Sequence, residues 1–123
     1  MNDHEKLNYV EFPAFDLPAT KAFFEKAFGW SFVDYGPEYT AFSGQGLDGG
    51  FFKADLRSLT SHGAALLVFY SKQLENTLEK ITKTGGVVNI PIFSFPGGRR
   101  FHFTEPSGNE FAVWSDAGTF PAQ

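Results

Sequence analysis

The chain has 123 residues, 42% of them hydrophobic, with 16 Phe, 1 Met and a formal net charge of −4. That length predicts a single domain able to bury a real core. The absence of cysteine excludes disulfides, thiolate nucleophiles and Cys-based zinc sites, and the lack of a basic run beyond Arg99-Arg100 argues against nucleic acid as a partner.

The opening Met1–Lys6 is polar and lacks the apolar stretch of a signal peptide. The longest apolar run, Ala64–Tyr70, is far too short to span a bilayer. Together these features predict a cytoplasmic protein with no membrane partner.

Leu7 to Phe12 alternates as a strand, with Tyr9 and Glu11 on one face and Val10 and Phe12 on the other. Asp16 is a good N-cap and Pro18 suits a first helical turn. From there Thr20, Phe23, Phe24, Ala27 and Phe28 share one helical face, and Gly29 fits the C′ position. A helix over about Leu17 to Phe28 follows.

Trp30–Tyr35 reads as a short strand and Tyr39–Ser43 as another. Gly44–Gly50 reads as a glycine-rich turn, and Phe51–Leu56 as a fourth strand. Arg57–Gly63 is polar and loop-like.

Then the pattern restarts. Ala64–Tyr70 predicts a strand, and Lys72–Thr84 a helix with Leu74, Leu78 and Ile81 inward, ended by Gly85-Gly86. Val87–Ile90 predicts a strand and Pro91–Pro96 an irregular stretch. The chain closes on a hairpin: Phe101 and Phe103 alternate with Arg100, His102 and Thr104, and Phe111 and Val113 with Glu110, Ala112 and Trp114. Between them Glu105-Pro-Ser-Gly-Asn109 is a turn, with Pro106 second in a type I turn and Gly108 free to take positive φ. Ala117–Gln123 has no period and predicts a loose tail, unless Phe120 docks on a neighbour.

The order is therefore βαβββ, loop, βαβββ, with modules at about 7–56 and 64–115 joined by loop 57–63. The expected fold class is α+β: two βαβββ modules forming a curved mixed sheet with outer helices. Each module alone would leave one sheet face wet, and two together could close it into a cavity.

The segments Tyr9–Trp30 and Gly97–Trp114, with their Phe-Gly-Trp helix end and Pro-Ser-Gly-Asn hairpin, resemble the vicinal oxygen chelate superfamily. That group contains glyoxalase I, extradiol dioxygenases, and bleomycin and fosfomycin resistance proteins. The resemblance implies paired βαβββ modules, often a homodimer, and a small-molecule pocket in a curved sheet. It also implies metal ligands on the first and last strands of each module. Those positions fall at Tyr9, at Gly50 or Phe52, at Leu66 and at Ala112, and none is a usual divalent-metal ligand. The expectation is no metal and no cofactor.

Glu11 and Glu110 are candidate acid/base carboxylates, or else pair with Arg99, Arg100 or Lys53 to fix strand register. His102 is a candidate pocket acid/base, or else faces solvent or the helix side and bonds a neighbouring carbonyl. Arg99-Arg100 could hold an anionic ligand, or form an exposed, solvated turn. The predicted ligand lining is Tyr9, Glu11, Phe52, Leu66, Val68, Ala112 and Trp114, which suits a flat, largely apolar molecule. The same side chains could equally form a packed core or a dimer interface. The expected function is metal-free binding of a small hydrophobic or aromatic molecule; the alternative is a glyoxalase-like, metal-dependent lyase or isomerase.

Overall fold

A computed structural model describes residues 2–117. The tail predicted for 117–123, Phe120 included, lies outside the described residues from 118 onward. The elements are β1 (Tyr9–Ala14), α1 (Leu17–Phe28), β2 (Phe32–Asp34), β3 (Tyr39–Gln45), β4 (Leu47–Lys53), a 3₁₀ turn (Thr60–His62), β5 (Leu67–Tyr70), α2 (Leu74–Lys83), β6 (Val87–Phe95), β7 (Gly98–Thr104) and β8 (Glu110–Ser115). They form two four-stranded mixed sheets, ordered β1-β4-β3-β2 and β5-β8-β7-β6. In each sheet the first and last strands of a module pair in parallel and the rest pair antiparallel. This is the α+β architecture expected from the sequence.

α1 begins where its capping chemistry says it should. The Asp16 carboxylate accepts from the Ala19 backbone N–H, and Gly29 closes the helix in the left-handed region at φ 71°. Its buried stripe is Leu17, Thr20, Phe23, Phe24 and Ala27, with Phe28 half-buried. Phe24 sits 5.7 Å from Phe51 of the first sheet and 5.5 Å from Phe111 of the second. Phe12 and Phe111 are 5.0 Å apart, and Phe23 and Phe103 are 5.8 Å apart. The helix-covered faces of both sheets thus meet in one phenylalanine core. Each fully buried ring there contributes on the order of 1.5–3 kcal/mol.

Three sequence readings are corrected. The glycine-rich stretch Gly44–Gly50 is mostly strand. Gly44 and Gly46 make the turn at positive φ, while Gly49 and Gly50 lie inside β4. A Cβ at Gly49 would fall 2.3 Å from the Val10 carbonyl oxygen, so the glycine serves close strand approach rather than a turn. Pro91–Pro96 is not irregular up to Phe95. β6 runs through it as an edge strand, where a proline needs no ladder donor, and two register shifts absorb the misfit. Trp30 leaves the predicted second strand and stacks in the core, 4.4 Å from both Phe24 and Phe42. Smaller shifts start β5 at Leu67, end β4 at Lys53 and open α2 at Leu74.

The hairpin turn Glu105–Asn109 fastens the second sheet to the first module. Gly108 N–H donates to the Glu105 carbonyl at 2.7 Å, with Gly108 at φ 90°. The Asn109 amide donates to the Pro13 carbonyl and to Glu105 Oε2, each at 2.6 Å, and accepts from Ser58 N–H at 2.9 Å. The Thr20 hydroxyl of α1 lies 2.6 Å from Glu105 Oε1 and 2.7 Å from Ser107 Oγ. Glu105, Ser107 and Asn109 are all buried. Burial pushes the Glu105 carboxyl above its ordinary range, against bonds from Thr20, Ser107 and Asn109 that pull it down.

Candidate functional site

With one face of each sheet spent on the core, the other carries the candidate residues. On the first sheet strand alternation turns Tyr9 and Glu11 of β1, Tyr39 of β3 and Phe52 of β4 to this open face. The Tyr39 hydroxyl is 2.6 Å from that of Tyr9 and donates to Glu11 at 2.9 Å. Its ring lies across Gly50, where an added Cβ would fall 2.1 Å from the Tyr39 oxygen. Burial first, and then the bonds with Tyr9 and Glu11, push the Tyr39 phenol well above the usual phenol range. Glu11 therefore pairs with a phenol and not with Lys53 or an arginine.

On the second sheet the open face carries Val68 and Tyr70 of β5, Glu110, Ala112 and Trp114 of β8, and Arg100, His102 and Thr104 of β7. Register sets His102 opposite Ala112 and Arg100 opposite Trp114. His102 and Glu110 are buried, and His102 Nδ1 is 2.8 Å from Glu110 Oε2. The other Glu110 oxygen accepts from the backbone and hydroxyl of Thr60, each at 2.8 Å. Burial alone would push the Glu110 carboxyl up. Bonds from His102, Thr60 and Asn89 outweigh it and hold the carboxyl at about 2. Glu110 is then ionised at neutral pH and can only accept, so His102 Nδ1 carries the proton it donates. The expectation that His102 bonds a carbonyl or faces solvent is overturned. Hairpin pairing brings in an acid eight positions away, and the inter-module loop covers it.

The predicted lining splits. Tyr9, Glu11 and Phe52 are on the first sheet, and Val68, Ala112 and Trp114 on the second. Leu66 falls just before β5, half-buried. Among the described residues no hydrogen bond or aromatic pair joins the two groups. Arg99 turns to the helix side and pairs with Glu75 of α2, which separates it from Arg100. His4 is exposed beside Glu5, and His62 lies in the 3₁₀ turn.

Sequence reasoning missed Tyr39, Thr60, Asn89 and Phe93. Tyr39 had a signal, since it sits opposite Phe52 on an alternating strand. Thr60 had none, because nothing local says where a loop will lie. An apolar cavity of about 320 Å³ also opens between the β1 and β5 edges, lined by Val10, Phe12, Trp30, Phe42, Leu67 and Phe69 among others. Of the predicted lining only Val68 reaches it.

The family model described as glyoxalase/bleomycin resistance protein/dioxygenase superfamily matches residues 6–113. The chain belongs to that superfamily. A comparison with curated proteins finds no match. Solved structures similar to it include a glyoxalase-related enzyme from Fulvimarina pelagi, at 17% identity over 90% of this chain and 88% of that one, TM-score 0.75. A glyoxalase/bleomycin resistance protein/dioxygenase family enzyme from Burkholderia phytofirmans PsJN is 16% identical over 89% and 98%, TM-score 0.73. A lactoylglutathione lyase from Agrobacterium tumefaciens is 18% identical over 93% and 96%, TM-score 0.68. At these identities the likeness is one of fold.

Metal-using members of the superfamily need a set of converging ligands, and this chain's residues do not fit one. Tyr9 is tied to Tyr39, Gly50 lies under the Tyr39 ring, and Ala112 is a buried methyl. Glu11 and Glu110 sit on different sheets. Among the described residues no three His, Cys, Asp or Glu side chains come together. No helix there is long and apolar enough to cross a membrane.

Proposed function

We propose that this superfamily member binds a small, flat, largely apolar molecule on its open sheet faces, without a resident metal, as a cytoplasmic homodimer. The observation that carries the reading is the row Val68, Tyr70 and Trp114 on the second sheet. Val68 is 45% and Tyr70 49% exposed, and the Tyr70 and Trp114 rings meet edge to face at 5.2 Å. Aromatic surface left uncovered beside a buried polar pair suits a ligand with one or two polar anchors.

The dimer is supported by the strand order. β1 and β5 are both edge strands, each with one neighbour. A two-fold related copy could lay β1 beside the partner's β5 and set the first open face next to the partner's second one. The divided lining would then become one cavity. Against the metal-dependent lyase or isomerase reading, its candidate ligands are already engaged: Glu11 by Tyr39, and Glu110 by His102 and Thr60.

The test combines three measurements on the purified, dialysed protein. Light scattering should give the mass of two chains. Metal analysis should give far less than one divalent ion per chain. Titration with 2-naphthol should quench Trp114 fluorescence, and Trp114→Phe should remove that quenching. A stoichiometric ion that survives dialysis, or no quenching by any flat aromatic probe, overturns the reading.

A further inference from the structure

Among the described residues three buried side-chain polar atoms lack a hydrogen-bond partner: Arg99 Nε, Arg100 Nε and His102 Nε2. Arg99 is otherwise engaged by Glu75. The other two lie two residues apart on one strand, on the face of the second sheet turned away from the phenylalanine core, where His102, Glu110 and Ala112 are themselves buried. Orphaned buried polar atoms are rare and each costs on the order of 1–3 kcal/mol. Two on one face ask for a common explanation.

Their surroundings are organised around one ring. Phe93 lies 5.3 Å from the Arg100 guanidinium carbon and 6.1 Å from the His102 ring. Phe95 approaches Arg100 from further along β6, at 5.9 Å, and is itself 6.3 Å from Trp114. Arg100 has no carboxylate partner among the described residues, and two aromatic faces hold its charge in place. His102 is held from the other side by Glu110. With Nδ1 committed to that carboxylate, Nε2 is the ring atom left to bond a ligand.

Building on the binding role proposed above, we infer that this face is a site for a hydroxyaryl carboxylate. Its carboxylate pairs with Arg100, and its hydroxyl hydrogen-bonds with His102 Nε2. Side chains two positions apart on one strand face are separated by roughly 6.5–7 Å. That is about the span from a carboxylate to a hydroxyl across an aromatic ring. The planar guanidinium suits a carboxylate, and Phe93, Phe95 and Trp114 supply faces for the ring. Both orphaned atoms gain a partner in one step.

The test uses three probes on the full chain: 6-hydroxy-2-naphthoate, 2-naphthoate without the hydroxyl, and 2-naphthol without the carboxylate. The hydroxynaphthoate should bind about tenfold or more tighter than either of the others. Arg100→Gln should erase its advantage over 2-naphthol, Arg100→Lys should keep part of it, and His102→Phe should erase its advantage over 2-naphthoate. Wild-type ratios need no variant, so a variant that fails to fold leaves the test intact. Equal affinity for 2-naphthol and the hydroxynaphthoate overturns anion recognition while the apolar binding role stands. Equal affinity for the two carboxylates overturns the role of His102. Ratios that survive the substitutions overturn the assignment to this face. Binding of none of the three overturns the inference and the binding role together.

Discussion

Each open face carries one carboxylate, and the two are built differently. Glu11 is exposed and accepts one described bond, from a phenol. Glu110 is buried and satisfied on both oxygens, by a histidine and by a loop threonine. The first face shows no orphaned atom among the described residues, and the second shows two. Surface exposure lets water complete Glu11's bonding at little cost. Burial makes every missing partner of the Glu110 network expensive, so incompleteness there carries information. The difference is what favours the second face, over the first, for the proposed ligand.

The difference can be broken most forcefully through Asn109. Asn109→Ala removes three hydrogen bonds and strands Glu105, the Pro13 carbonyl and the Ser58 N–H. A loss of about 3 kcal/mol or more is expected from chemical denaturation. Ser58 also accepts from the Glu110 N–H, so the loop over the second face should loosen while the first face keeps its Tyr39–Glu11 bond. Hydrogen exchange that rises equally on both faces would show that they are not independent.

Glu110→Gln is the next largest. A carboxyl held at about 2 against an ordinary 4.5 contributes at most about 3 kcal/mol. Its folded value is depressed, so the contribution is complete above pH 4.5 and is lost as pH falls through about 2. The stability gap between wild type and variant should therefore close between those limits. Glu105 has the opposite sign. Its folded value is raised, so its contribution is present below its ordinary value and disappears as pH rises through the folded one. A wild-type–variant gap for Glu110→Gln that stays constant down to pH 2 would contradict the depressed value.

Much of the fold was legible in the sequence, while the contrast between the two carboxylates was not, for physical reasons. Alternation put Tyr9 and Glu11 on one face of β1, and Asp16, Pro18 and Gly29 bounded α1 through local capping chemistry. The superfamily followed from the helix end and the hairpin turn. What alternation could not supply was the third dimension. Glu110 meets His102 through hairpin register, Thr60 reaches Glu110 from a loop, and Phe93 arrives on an edge strand that two prolines disguised. Composition misled most at Gly49 and Gly50, which read as turn residues. In the sheet they are small because a carbonyl and a tyrosine ring occupy the space a side chain would need.

That last point gives a prediction for the exposed face. Gly50→Ala places a methyl where the Tyr39 ring lies. The ring is free to swing outward, so the cost should be about 1–2 kcal/mol, chiefly from the lost bonds to Tyr9 and Glu11. A larger loss would mean that the backbone, and not only the ring, is crowded at Gly50.

Tyr39→Phe should have the smallest effect, about 0.5 kcal/mol, because water can replace a half-buried phenol's partners. Its useful readout is a titration. Burial and the bonds with Tyr9 and Glu11 delay ionisation of this phenol well past the ordinary range. Ultraviolet titration of wild type should therefore show Tyr39 as the late phenol among its 4 tyrosines, ionising after Tyr70, which its bond to Asp116 also raises, and the variant should lose that last step. If the late phenol persists in Tyr39→Phe, Tyr39 is not where the charge is most disfavoured. The first face would then be as electrostatically demanding as the second, and the contrast between an open, water-completed carboxylate and a closed, protein-completed one would fail.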